Sequence, residues 1–168
     1  MFFYLSIFSY LMIFVFLAAL AWRDVKEYIL PDYLNFSLAF AFTCFHIFTR
    51  GQMITPQSAL WGAVVGGGML FLVRTLANKF YRADSLGLGD VKLMAAAGLG
   101  LGFPNILMAI STGAFAGMLH GLFLAWRRQK TSGGAFSVAD INVPAGLGLT
   151  IGIAVTIFYQ FGFGFIKN

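Results

Sequence analysis

The chain has 168 residues, of which 60% are hydrophobic and only 10% charged, against about 25% charged in an ordinary soluble domain. Such sparse charge cannot clothe a water-facing surface, and the long apolar runs predict an all-α protein dissolved in lipid, folded as a single membrane-embedded domain over residues 1–168. The net charge of +5 is scattered over connections without forming a basic face, which argues against nucleic acid as a partner, and one cysteine excludes both an internal disulfide and a Cys-cluster zinc site.

A helix that crosses the hydrocarbon needs about 20 apolar residues. The first run, Phe2–Trp22, lacks a basic leader and a small-residue cleavage site, so it reads as a retained span rather than a removable signal peptide. Tyr33–Thr49, which contains Cys44, and Ser58–Ala77 follow. A shorter run, Val91–Phe103, is stopped by Pro104, and Asn105–Trp126 and Ala145–Ile166 complete the set. The pattern predicts a polytopic bundle of about six transmembrane helices. Glycines at four-residue spacing (Gly62 and Gly66; Gly113, Gly117 and Gly121; Gly148 and Gly152) predict close helix–helix seams.

The basic residues orient this bundle. If all six runs span, Arg23, Lys26, Arg74, Lys79, Arg82, Arg127, Arg128 and Lys130 fall on one side, while the other receives only Arg50 and Lys167. The positive-inside tendency puts the first group in the cytoplasm. The short fourth run is expected to span as well, because otherwise the Arg127–Lys130 cluster would lie outside.

The six acids are Asp24, Glu27, Asp32, Asp84, Asp90 and Asp140, all in the loops assigned to the cytoplasm or at their junctions with helices. Acids beside apolar spans are costly and often functional. Asp24 directly follows the first run, and Asp90 opens the fourth. Helix N-capping would explain Asp90 and Asp32 without any chemistry. It does not explain Asp24, at a C-terminal end where the helix dipole disfavours an anion. Placement alone leaves catalysis, proton relay and ion binding all open.

The local sequences narrow the choice. Asp90 lies in Gly87-Leu88-Gly89-Asp90-Val91-Lys92-Leu93, where Gly87 and Gly89 are expected to shape the turn through unusual torsions or close approach. Pro31, seven residues after Asp24, is expected to break the chain before the second span.

These segments resemble the type IV prepilin peptidases, whose pattern is an Asp followed by a Pro-Asp/Asn step and then Gly-x-Gly-Asp-x-Lys-Leu. Val143-Pro144-Ala145-Gly146 is similar to a third family element, departing from it at Ala145 and Leu147. The resemblance implies an inner-membrane aspartic endopeptidase with Asp24 and Asp90 as its catalytic pair, opening toward the cytoplasm. It also implies a pilin, Flp-pilin or pseudopilin precursor as substrate and no metal or other cofactor. Lys92 would orient the Asp90 segment, as the family motif favours, or snorkel to the interface. Glu27, Asp32 and Asp84, solvated loop acids by default, are candidates to attract a basic leader. The chain starts at the peptidase core without a cysteine-rich loop, so the short, peptidase-only form is expected, without methyltransferase activity. His46 and His120 are isolated within apolar runs and lack the spacing of a ligand pair.

The alternative from another class is a small transporter or ion-conducting protein that uses Asp24 and Asp90 as a proton or cation site. It predicts acids nearer mid-span and an internal repeat, neither of which is visible. A structural scaffold would leave the Gly-Leu-Gly-Asp turn without a purpose. A protease for some other membrane helix differs only in substrate.

Overall fold

The computed structural model describes residues 2–81, 86–132 and 144–162. Asp84, Asp140, Arg82, Val143 and Lys167 lie outside them. Each predicted run forms a helix: α1 (Phe2–Glu27), α2 (Asp32–Phe48), α3 (Pro56–Tyr81), α4 (Leu88–Leu101), α5 (Asn105–Ser132) and α6 (Ala145–Ile157). A π-helical turn, Phe158–Gly162, continues α6. No strand occurs among the described residues.

The helices fall into two classes. α1, α3 and α5 are each long and apolar enough to cross a membrane. They expose large apolar side chains such as Phe8, Leu11, Trp61, Val64, Phe115 and Met118, as a lipid-facing surface requires. α2, α4 and α6 are shorter, at 17, 14 and 13 residues. At about 1.5 Å per residue, α4 rises only about 21 Å of the roughly 30 Å hydrocarbon.

α4 is central, packed against α2, α3, α5 and α6. Its run of small residues makes this possible. Gly98 lies backbone to backbone against Gly62 of α3, and a side chain at either position would collide with the other's carbonyl. A Cβ at Gly66 would fall 2.5 Å from the Met94 carbonyl oxygen. α5 and α6 meet through a second seam, where a Cβ on Gly148 would lie 2.8 Å from the Gly113 carbonyl and the Gly117 backbone. Leu38, Phe42 and Phe45 of α2, Leu93 and Met94 of α4, and Ile153 and Ile157 of α6 fill the space between. The Gly66–Gly68 triplet leaves α3 continuous.

Candidate active site

The last turn of α1, the first turns of α2, α4 and α6, and the segment before α4 meet at one end of the bundle. α1 continues past the apolar run to Glu27, so Asp24 belongs to its final turn rather than to a loop, and its carbonyl accepts the Tyr28 N–H at 2.9 Å. The chain then turns sharply at Tyr28, the residue with φ 54. Pro31, in extended backbone, caps α2, and its carbonyl accepts the Leu34 and Asn35 amides at 3.1 and 3.3 Å. The expected break at Pro31 is therefore in place.

Asp24 is 5% exposed. Its Oδ2 accepts the Leu147 N–H at 2.7 Å, and the Gly146 amide is a second backbone partner. Both amides belong to the first turn of α6, whose cap residue, Pro144, offers no side-chain acceptor. A helix start has unpaired N–H groups and a partial positive charge. The carboxylate of α1 supplies what α6 lacks, which answers the objection that Asp24 stands at the wrong end of its own helix. The third motif element acts here: a Cβ on Gly146 would stand 2.8 Å from the Asp24 Cγ.

Asp90 is 6% exposed and occupies the first turn of α4. Gly87, not Asp90, is the cap residue, and the Asp90 carboxyl turns back to the Gly87 amide. Its Oδ1 is buried and has no hydrogen-bond partner among the described residues. The two glycines act through space and not through special torsions. Gly87 has φ −69 and ψ 147, which any residue adopts. A Cβ on Gly89, however, would lie 2.7 Å from the Leu30 Cβ and 2.9 Å from the Leu30 carbonyl oxygen.

Leu30 was not singled out by the sequence, yet it joins the two halves. It abuts Gly89 beside Asp90 and, through Cδ1, Gly146 beside Asp24. Asp24 and Asp90 are thereby brought near enough for the charge of one to act on the other. Two buried carboxyls so placed resist joint ionisation.

Among the described residues, the remaining acids, Asp32 and Glu27, are paired. Lys92 Nζ contacts Asp32 Oδ1 and Oδ2 at 2.7 and 2.6 Å, tying α4 to α2 instead of reaching Asp90. Asp32 is thus the first residue of α2 and an ion-pair partner, not its cap. Glu27 pairs with Arg23 on α1. Arg74 Nε donates to the Leu86 carbonyl at 2.8 Å and steadies the approach to α4. His46 lies toward the opposite end, its Nε2 3.0 Å from the Leu99 carbonyl oxygen, beside an open cavity of about 690 Å³ also lined by Arg50 and Leu60. A second residue missed in the sequence is Asn35, 3% exposed, whose Nδ2 donates to the Gly89 carbonyl at 3.3 Å. Its only signal was an amide inside an otherwise apolar run.

Against known proteins, residues 11–122 match the model of the type IV leader peptidase family. The chain belongs to that family. A prepilin leader peptidase/N-methyltransferase of Burkholderia pseudomallei strain 1026b is 29% identical over 143 residues, 85% of this chain and 43% of the relative. Proteins of the same description from Escherichia coli K12 and Dickeya chrysanthemi are 28% and 32% identical, covering 70% and 68% of this chain and 52% and 41% of theirs. The chain thus spans about half the length, or less, of these relatives. No solved structure matches. As a leader peptidase family member with several apolar helices, the chain is a multi-pass membrane protein.

Proposed function

We propose that the chain, as one domain over residues 1–168, is an endopeptidase of the inner membrane that removes the leader from type IV pilin-like precursors at the cytoplasmic face. Asp24 and Asp90 are its catalytic pair. The observation that carries this reading is the convergence of two buried carboxyls, 66 positions apart in sequence by their numbers, at one end of a membrane bundle. A transporter reading gains nothing from that placement, because the acids stand at the end and not along a path through the middle.

The chemistry follows from the surroundings of each acid. Hydrogen bonds from backbone amides favour the ionised form of a carboxylate. Asp24 has two such partners on α6, and Asp90 has Gly87 alone. Asp24 is therefore the general base that takes a proton from the attacking water, and Asp90 the acid that polarises the scissile carbonyl. As the tetrahedral intermediate collapses, the C–N bond breaks and the amine leaves with a proton supplied by the pair. Gly87 gives its amide to the Asp90 carboxyl, and Gly89, Pro31 and Lys92 hold this geometry without touching the reacting atoms. A precursor would lay its apolar helix among the spans and offer its leader junction at the boundary with water. With Glu27 and Asp32 already paired, attraction of a basic leader falls to other groups or to an exchange of partners.

The test is cleavage of a co-expressed prepilin-type precursor by wild type, Asp24→Asn and Asp90→Asn at matched membrane abundance. Asparagine keeps size and polarity but cannot exchange the proton, so each variant should lose about 10³-fold or more in cleavage. Robust cleavage by either would sink the two-aspartate mechanism. A wild type inactive on several pilin classes would redirect attention to another membrane substrate or to ion flux. Wild-type activity should also fall at both pH extremes, since the pair works with one shared proton.

A further inference from the structure

The start of α4 is fastened from several directions, and the fastenings differ in kind. The Lys92–Asp32 pair is half-exposed, where water and salt weaken it. Leu30 presses on Gly89 but has no directional preference. Asn35 is different. It is 3% exposed, stands between Leu34 and Phe36, and gives its Nδ2–H to the Gly89 carbonyl. Its Oδ1 is buried without a partner among the described residues. An apolar side chain of similar volume would fill the same space without stranding an amide oxygen, which is costly away from water. Packing alone does not account for an amide there.

The bond it makes is well placed to matter. The Gly89 carbonyl belongs to the peptide plane that ends at the Asp90 nitrogen. The plane lies in the first turn of α4, whose amides have no intrahelical partners. A tilt of the plane there swings the Asp90 side chain, and Gly89 has no Cβ to resist it. Fixing the carbonyl oxygen fixes the plane. We propose that Asn35 is a positioning residue for Asp90, its side-chain amide holding the Gly89–Asp90 peptide in the one orientation that brings the Asp90 carboxyl to Asp24. The inference rests on the two-aspartate reading and deepens it.

The experiment uses the purified full chain in detergent micelles with a prepilin-type precursor, following kcat, KM and the thermal unfolding midpoint. In Asn35→Leu, kcat should fall about 10- to 100-fold while KM stays within about twofold and the midpoint holds, because a misdirected acid slows chemistry without weakening binding. Asn35→Gln, which restores an amide donor, should recover part of the loss. Asn35→Ala cannot crowd the site and replaces the leucine variant if that one fails to fold. Wild-type kcat in an apolar variant overturns the proposal. So does a loss that only follows the unfolding midpoint, with glutamine no better than leucine. Asp24→Asn and Asp90→Asn measured alongside separate the two failures: if both are dead while the Asn35 variants keep full activity, only the role of Asn35 falls.

Discussion

Asp24 and Asp90 each have a glycine neighbour whose missing side chain is part of the site. At Gly146 an added methyl would stand 2.8 Å from the Asp24 Cγ and 2.9 Å from both its Oδ2 and the Leu30 Cδ1. Those atoms belong to the site, so relief of the contact displaces Asp24. Gly146→Ala should cut precursor cleavage at least about tenfold and cost about 1–3 kcal/mol in stability, as overpacking of a tight interior does. Gly89→Ala meets the Leu30 main chain, which yields even less, and should behave alike. Gly68 supplies the contrast: nothing lies within 4 Å of a Cβ there. Gly68→Ala should leave cleavage untouched and gain about 0.5–1 kcal/mol, the ordinary benefit of alanine over glycine within a helix. Cleavage assays and thermal unfolding in micelles decide all three. Equal tolerance of Gly146→Ala and Gly68→Ala would remove the steric argument.

Between elements, two fastenings of α4 can be ranked by their surroundings. Lys92 and Asp32 have side chains 46% and 56% exposed, and an ion pair this wet contributes about 0–1 kcal/mol, less in high salt. The Gly62–Gly98 crossing is backbone against backbone with no room for a methyl. Lys92→Met should therefore lower stability by under about 1 kcal/mol, and Gly98→Val by about 2 kcal/mol or more, because α3 and α4 must separate. A larger loss from Lys92→Met than from Gly98→Val in thermal unfolding would invert the ranking. The same contrast explains what was legible in the sequence. Apolar runs and glycine spacing are local patterns, and they announced six helices and the seams between them. The motif around Asp90 was equally plain. What joins the acids is not local: the Asp24 carboxylate meets an amide 123 residues away, and only tertiary packing reveals that α6 supplies the positive helix end that α1 denies it. Leu30 and Asn35 were opaque for the same reason, since a leucine before a proline and an asparagine in an apolar run acquire meaning only from Gly89 opposite.

For the whole molecule, the two ends of the bundle differ in charge as well as in chemistry. Arg23, Lys26 and Lys92 lie on elements that meet at the carboxyl pair and Arg74 bonds the segment before α4, whereas the α2–α3 connection at the other end contributes Arg50. The positive-inside tendency supports the proposal that the carboxyl end faces the cytoplasm. The chain offers a clean way to test this, because its sole cysteine, Cys44, is half-buried within α2. In a Cys44→Ala background, Lys26→Cys places a thiol on the exposed last turn of α1, close to Asp24. Gln52→Cys places one in the exposed α2–α3 connection. A membrane-impermeant maleimide added to intact cells with a permeabilised outer membrane should label Gln52→Cys at once and Lys26→Cys only after the inner membrane is opened. The opposite pattern would turn the molecule over and put the carboxyl pair on the side away from a leader presented in the cytoplasm. Cleavage would then need a translocated junction. Because the labelling does not depend on catalysis, it tests the orientation even if the precursor assay fails.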